Sequence, residues 1–171
     1  MPKKWGLVSL AWVFLTLSAC GWQLQGNPLI ANQFGTIYIS SPDTQSSIII
    51  ELKRALKANN IEIVGAASNA DYQIKILDNR QSRRISALNP SARAAQYQIY
   101  QAVEYMVFNA RGTPVVPRTT ALAESTYNFK EIDVLASENE ERLLQNTLRL
   151  EIVRQIVRRL GEISDKKKGT E

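Results

Sequence analysis

Few side chains in this sequence could take part in catalysis, and the types that are missing exclude most mechanisms. The 171 residues contain no histidine and one cysteine, Cys20. Without histidine there is no His-based triad, histidine proton shuttle or histidine metal site. A single cysteine cannot form a Cys-ligated zinc site, and the sequence has no nucleophile elbow, glycine-rich phosphate loop or metal-binding loop. We therefore predict that the chain is not an enzyme and binds no metal ion or cofactor.

A mechanism that needs only two carboxylates, such as glycoside hydrolysis, is the catalytic alternative that stays open. Glu104 and Glu124 fall on strands that we predict to be neighbours, and they are the pair that such a hydrolase would use. Most of the acidic residues lie at solvent-facing positions of predicted helices. A binding or assembly role is therefore favoured over hydrolysis.

The position of Cys20 indicates lipid attachment. Two lysines precede an apolar stretch of twelve residues, Gly6 to Leu17, which is shorter than the ~20 residues that a transmembrane helix needs. A basic start, a short apolar run and small residues at its end are typical of a secretory signal peptide. The tetrapeptide Leu17-Ser18-Ala19-Cys20 resembles the bacterial lipobox. We predict that residues 1–19 are removed and that Cys20 becomes an S-diacylglycerol, N-palmitoyl cysteine, the lipid anchor of the mature chain.

Two further observations concern the compartment. A lone free thiol would be unusual in the oxidising compartment to which a signal peptide leads, and acylation of Cys20 removes that difficulty. The alternative is an ordinary signal peptide in which the cysteine is incidental. The residue after the cysteine is Gly21. In enteric-type bacteria an aspartate at that place signals retention in the inner membrane, so Gly21 favours the outer membrane.

Apolar periodicity predicts alternating strands and helices in the mature chain. In chain order these are a strand at Thr36–Ile39, a helix from about Ile48 to Asn60, a short strand at Ile61–Val64, a strand from Tyr72 that continues to Ile85, a strand at Gln96–Val107, a strand from about Val115 to Phe129, and a long final helix. This order predicts an α+β fold, a two-layer sandwich with two helices packed on one face of a mixed, mostly antiparallel sheet of about four strands.

The final helix is predicted to begin at Ser137, which forms a capping-box pattern with Glu140, and to stop at Gly161. Its apolar residues are spread around more than half of the circumference, whereas packing on a sheet needs a stripe only a little over 100° wide. Two interpretations follow. The helix is deeply embedded in its own core, or another protein covers part of its apolar surface.

The length and composition of the chain that follows the signal peptide are typical of a single domain. We divide the mature chain into a lipidated tether over residues 20–33, one α+β domain over residues 34–161, and a polar charged tail over residues 162–171. The formal net charge of the chain is +5, but two of the lysines lie in the signal and three in the run Lys166-Lys167-Lys168. The positive charge therefore does not indicate a nucleic-acid partner.

Several segments of the sequence are similar to one family, the lipopolysaccharide-assembly lipoproteins called LptE. In chain order they are the opening Cys20–Gly26, the strand Ala95–Ile99, the helix start Leu135–Glu140 and the helix end Gln155–Leu160. With the lipobox, the order and spacing of these segments extend the resemblance over essentially the whole mature chain. The sequence departs from the family pattern at Gln25, where arginine is usual, at Gln96, where glutamate is usual, and at Ser137, where a basic residue is frequent.

The resemblance implies a binding and assembly role. Members of the family sit as a plug inside the outer-membrane barrel protein LptD, help that barrel to mature, and bind lipopolysaccharide on its way to the cell surface. The expected location is therefore the outer membrane, reached from the periplasmic side and held by the lipid on Cys20. The alternative is a stand-alone periplasmic lipoprotein that binds an amphiphile, which would need a closed apolar cavity.

Arginines around a predicted hairpin turn are candidates for lipopolysaccharide binding. Arg83, Arg84 and Arg93 flank the turn at Asn89-Pro90, with Arg80 nearby. A guanidinium group can meet a phosphate of lipid A with paired hydrogen bonds. If the flanking strands pair, these side chains gather at one end of the sheet. We predict that Arg83, Arg84 and Arg93 bind phosphate, and the alternative is that they are ordinary solvated arginines.

Overall fold

A computed structural model describes the backbone of residues 35–168 and the side chains of residues 35–163. The predicted signal peptide over residues 1–19, the acylation of Cys20 and the tether over residues 20–33 therefore lie outside the described residues. In chain order the elements are β1 (Thr36–Ser40), α1 (Ser47–Ala58), β2 (Glu62–Ile63), a 3₁₀ turn (Ala67–Asn69), β3 (Tyr72–Leu88), β4 (Ala94–Asn109), β5 (Pro114–Asn128) and α2 (Val134–Lys168).

The strands form one mixed sheet in the order β2-β1-β3-β4-β5. β1 is parallel to both β2 and β3, whereas β3, β4 and β5 form an antiparallel meander. The α+β class is thus confirmed. The sheet has five strands rather than about four, because the two-residue β2 pairs with β1 and adds an edge.

One continuous core joins both helices to the same face of the sheet. It contains aliphatic side chains from β1, from every strand of the meander and from both helices, together with Tyr105 of β4 and Tyr127 of β5. The residues at its centre are Ile37, Leu52, Leu56, Ile74, Val103, Val107, Val116, Ile152, Ile156 and Leu160. In α1 the buried positions follow helical spacing, and in β4 they follow the alternation of a strand. The periodicity of the sequence therefore places the core correctly.

A β-bulge in β3 changes which side chains face the helices. Before it, Ile74 and Ile76 are buried on the helix face, opposite Val107 and Tyr105 of β4. The register shifts between Ile76 and Asp78, so Leu77 is the extra residue. Because strand side chains alternate, one extra residue moves the odd-numbered positions to the helix face. From Asn79 to Ile85 the odd-numbered residues of β3 therefore face the helices, and a second register shift between Ile85 and Ala87 ends this alternation.

The meander extends well beyond its neighbours. β1 pairs with β3 only from Tyr72 to Lys75, and residues 79–88 of β3 are exposed. We call Asn79–Leu88, the following turn and Ala94–Gln98 the distal hairpin. The edge strand β5 is protected in two ways. It contains Pro114 and Pro117, and Gln155 Nε2 of α2 donates to the Leu122 carbonyl at 3.0 Å. Prolines and such contacts protect a free strand edge.

The ends of α2 differ from those predicted. The helix begins at Val134, one turn before Ser137, and the Ser137 amide donates to the Asp133 carbonyl at 3.1 Å. Ser137 is buried within the first turn and does not cap it. The helix also continues through Gly161 to Lys168. A glycine inside a helix costs only about 1 kcal/mol, and Ile163 beyond it packs against the core, so Gly161 does not end the helix.

Two hairpin turns share one geometry and differ in the residue at the left-handed position. In the turn Asn89–Arg93, the asparagine side chain accepts from the amides of the third and fifth residues, each at 3.0 Å. The turn Asn109–Thr113 repeats both bonds at 3.0 Å. The fourth residue has a positive φ in both, 58° at Ala92 and 75° at Gly112. Only at Ala92 does a Cβ atom oppose that conformation.

We therefore expect Ala92→Gly to raise the free energy of unfolding by about 0.5–1 kcal/mol, since relief of the left-handed conformation outweighs the entropy of glycine. Gly112→Ala, the matched change in the other turn, should lower it by about 1 kcal/mol. Urea denaturation of the two variants measures both effects. A loss of stability in Ala92→Gly would contradict the expectation.

Candidate functional site

The distal hairpin carries the predicted arginines, and the structure separates them. Arg83 lies opposite Ile99 on the helix face of the sheet, whereas Arg84 lies opposite Gln98 on the other face. Arg93 follows the turn, where its Nη1 donates to Glu131 Oε2 of the β5–α2 loop at 2.7 Å. All three are thus at one end of the sheet but point in different directions.

Arg83 is the most constrained of the three. Its Nη1 donates to Glu141 Oε2 at 2.8 Å, which joins β3 to α2. The same oxygen accepts from the hydroxyl of Tyr127 on β5, and Glu141 Oε1 accepts from Gln145 Nε2 at 3.0 Å. The guanidinium group also lies over the ring of Tyr97, 4.6 Å from its centroid, in a cation–π contact. One carboxylate therefore holds three elements together.

The ionisation of this network is fixed at neutral pH. Partial burial acts to raise the pKa of Glu141, but the hydrogen bonds from Tyr127 and Arg83 outweigh it and leave the pKa below its ordinary value. Burial, followed by the hydrogen bond to Glu141, raises the pKa of Tyr127 to about 12. The hydrogen bond to Glu141 raises the pKa of Arg83. Arg83 is therefore cationic, Glu141 anionic and Tyr127 neutral.

Aromatic rings continue the core towards the distal hairpin. The Tyr97 and Tyr127 rings stack with centroids 5.7 Å apart, and Phe129 meets Tyr97 edge-on at 5.4 Å. The sequence interpretation did not assign Tyr97, Tyr127 or Glu141 to a site. A signal for Glu141 was present, since a carboxylate at this position, with Gln145 one turn later, falls on the same helix side as Leu144 and Leu148.

The other arginines are less neutralised. Arg84 Nε donates to the neutral side chain of Gln98 at 2.7 Å, and among the described residues no carboxylate forms an ion pair with Arg84. The pair between Arg93 and Glu131 is exposed on both sides. Exposed pairs of this kind contribute ~0–1 kcal/mol and are easily exchanged for another anion. The hairpin can therefore offer positive charge to a ligand, chiefly through Arg84 and Arg93.

Exposed apolar side chains accompany this charge. Ile85 and Leu88 on the hairpin, and Ile132, Val134 and Leu135 in the adjoining loop and helix start, are all large and exposed. Contiguous exposed apolar surface beside polar groups is typical of a binding site. This end of the molecule has the chemistry to meet an amphiphile that combines an anionic group with aliphatic chains.

The structure does not bring the candidate carboxylate pair together. Glu104 lies opposite Thr120 and Glu124 opposite Tyr100, so the two glutamates are offset by four residues along neighbouring strands. At ~3.3 Å per residue that offset is about 13 Å, beyond the ~5–9.5 Å that glycosidases use. Arg118 Nη1 also donates to Glu104 Oε1 at 3.2 Å. The hypothesis of a hydrolase based on this pair is wrong.

Two further properties of the described residues bear on function. A cleft of about 620 Å³ at the opposite end of the sheet is open to solvent and lined by polar as well as apolar residues, among them Asp71, Asn109, Arg111, Val115 and Ile163. It is not the closed apolar cavity that a stand-alone amphiphile carrier would need. Between residues 35 and 168, none of the helices has the length and apolar character to cross a membrane.

Comparison with known proteins gives consistent matches. A family model described as "LptE: Lipopolysaccharide-assembly" matches residues 34–160. The LPS-assembly lipoprotein LptE of Pectobacterium atrosepticum is 20% identical over 151 residues, which cover 88% of this chain and 81% of that protein. The protein of the same name from Photorhabdus laumondii is 21% identical over 154 residues, covering 90% and 84%.

Solved structures share the fold. Lipoprotein B of Nitrosomonas europaea superposes with a TM-score of 0.71 at 21% identity, over 77% of this chain and 85% of that one. The rare lipoprotein B of Shewanella oneidensis gives 0.69 at 20% identity, over 78% and 98%. At this level of identity the two structures establish a common architecture.

The Glu141 network yields a pH-dependent prediction. Glu141→Gln should lower the free energy of unfolding at pH 7 by about 1–2 kcal/mol, because Arg83 loses its charged acceptor. Since the pKa of Glu141 is lowered on folding, its contribution is complete above the ordinary value of 4.5 and is lost as the pH falls through the lowered value. The stabilities of wild type and variant should therefore converge in acid.

Urea titrations at a series of pH values test this, with Glu140→Gln as the matched control. Glu140 is exposed and adjacent in sequence, so its substitution should change stability by less than about 0.5 kcal/mol. A difference between wild type and Glu141→Gln that stays constant from neutral pH into acid would contradict the assignment.

Proposed function

This chain belongs to the LptE lipopolysaccharide-assembly family, and from that membership we propose that it is an outer-membrane lipoprotein that works with the barrel protein LptD. In this role it is a plug and assembly factor for the barrel and a binder of lipopolysaccharide, and it has no catalytic activity. The match over residues 34–160, which spans α1, the whole sheet and most of α2, is the observation that carries the proposal.

The distal hairpin is the surface proposed to bind lipopolysaccharide. Lipid A combines phosphates with acyl chains, and the hairpin combines arginines with the exposed Ile85 and Leu88. Charge-assisted bonds from arginine to phosphate are roughly twice as strong as neutral ones. Residues 79–88 of the hairpin are exposed, and among the described strands none pairs with the outer edge of β3 beyond Lys75.

The three arginines have different parts in this proposal. Within the described residues, Arg84 bonds to an uncharged side chain and Arg93 to an exposed carboxylate, so both can turn to a phosphate at little cost. Arg83 is held by Glu141 through one nitrogen, and because a guanidinium group carries five N–H donors it can also donate to a phosphate. It therefore presents a fixed donor, whereas Arg84 and Arg93 supply most of the uncompensated charge.

The lipid on Cys20 is proposed to deliver the protein to the membrane in which it acts. One acyl chain anchors only marginally, at ~0.8 kcal/mol per buried CH₂, whereas two or three chains hold a protein durably. Anchoring also raises the local concentration of the protein next to a membrane partner. Recognition of that partner is assigned to the folded domain and not to the anchor.

Reversal of two hairpin charges tests the lipopolysaccharide site. Arg84→Glu with Arg93→Glu should weaken binding of purified lipopolysaccharide at least about tenfold, because two charge-assisted bonds are lost and two repulsions gained. Both positions are exposed, so the fold should be unaffected. Arg154→Glu, on the exposed side of α2, is the matched control. Unchanged affinity at both low and moderate salt would refute the site.

Removal of the anchor separates delivery from recognition. A Cys20→Ala variant, exported with an ordinary signal peptide, should bind solubilised LptD as the lipidated protein does, since recognition lies in the domain. In cells it should fail to support lipopolysaccharide assembly because it is not held at the membrane. Co-purification and fractionation measure the two properties. Loss of LptD binding by the purified variant would place recognition in the anchor.

A further inference from the structure

The first half of α2 presents apolar side chains that none of the described elements covers. Leu143, Leu150 and Val157 are spaced by seven residues and therefore lie on nearly the same side of the helix. Their exposed fractions are 66%, 48% and 9%. The same side of the helix is thus bare in its first half and buried in its second half.

The element that covers the second half is α1. Gln155 marks the flank of α2 next to β5, because it bonds the Leu122 carbonyl. Val153 and Val157 lie about 160° around the helix from Gln155, on the flank that faces away from β5, and both are buried. α1 packs against α2. With 12 residues against 35, α1 is ~18 Å long beside a helix of ~52 Å, so it leaves the first half of α2 uncovered.

Two arginines flank the bare positions, which we call the α2 ridge (Leu143 and Leu150). Arg142 Nη2 donates to Asn139 at 2.5 Å and Arg149 Nη1 to Asn146 at 2.9 Å. Both partners are neutral. Arg149 Nε is buried and has no hydrogen-bond partner among the described residues. The ridge therefore combines aliphatic side chains with two arginines that form no ion pair within the described part of the chain.

We propose that the α2 ridge is a docking surface for another protein, specifically for a segment with aliphatic side chains next to carboxylates. This segment takes the place that a longer α1 would occupy beside α2. The carboxylates meet Arg142 and Arg149, and the aliphatic groups cover Leu143 and Leu150. The inference rests on the proposed function only in that LptD is the first partner to test.

The shape of the ridge favours a polypeptide over a lipid. Leu143 and Leu150 stand about 10 Å apart along a convex helix surface, with the polar Asn146 between them. Acyl chains bind in concave and continuously apolar sites. Seven-residue spacing with an interposed asparagine instead suits interdigitation with the side chains of another protein segment. The ridge is also separate from the distal hairpin arginines proposed to meet phosphate.

Site-specific crosslinking tests the inference in the lipidated full chain, co-expressed with LptD of the same organism. Leu143 is replaced by a photo-crosslinking residue, and Leu122, equally apolar and exposed on the open face of the sheet, is replaced as the matched control. We expect the adduct at position 143 to map to an LptD segment that carries Asp or Glu. Arg142→Glu with Arg149→Glu should lower its yield about tenfold, whereas Arg111→Glu, in the turn at the other end of the sheet, should not.

The remaining outcomes separate this inference from the proposed function. If LptD co-purifies but position 143 crosslinks to lipopolysaccharide, to phospholipid or to residues 21–34 of the same chain, the docking surface is refuted and the proposed function stands. Equal yields of LptD adduct at positions 143 and 122 also refute it. If LptD does not co-purify, position 143 can still form an adduct with an acidic segment of another membrane protein. That adduct supports the docking surface when replacing the acidic residues of the segment by lysine restores the crosslinking yield of the Arg142→Glu, Arg149→Glu variant.

Discussion

A mismatch in length between the strands of the meander and the elements beside them underlies the other features of this structure. β3, β4 and β5 have 17, 16 and 15 residues, whereas β1 has five and α1 twelve. At ~3.3 Å per strand residue the meander is about 50 Å long, against ~18 Å for α1. Only α2 follows it to the distal end. β3 therefore loses its outer neighbour after Lys75, and one flank of α2 is left bare.

Hydrogen bonds and ring contacts hold the distal hairpin to α2 at the end of the sheet where fewer aliphatic side chains are buried. Glu141 accepts hydrogen bonds from β3, β5 and its own helix, and the stacked rings of Tyr97 and Tyr127 lie beneath its partner Arg83. A carboxylate bonded by several donors fixes their relative positions, because each bond depends on angle as well as distance. The hairpin can thus stay fixed to α2 although residues 79–88 are exposed.

The exposed surfaces at this end differ in chemistry, and the difference suits two kinds of ligand. The distal hairpin offers arginines on a strand pair with apolar residues between them, which matches an anionic amphiphile. The α2 ridge offers leucines at helical spacing beside Arg142 and Arg149, which matches a protein segment. Under the proposed function, a plug that binds lipopolysaccharide within a barrel needs contact with lipid and protein at once, and separate surfaces allow both.

The sequence by itself determined what depends on local periodicity: the two helices, the long strands and the α+β class. It could not determine where α2 ends, since packing of Ile163 outweighs the cost of Gly161. Nor could it pair Arg83 with Glu141, which are 58 residues apart. The face that each hairpin arginine takes was decided by the bulge at Leu77, and the bare flank of α2 by the reach of α1. Such properties arise from contacts between distant segments, and only the tertiary structure sets those.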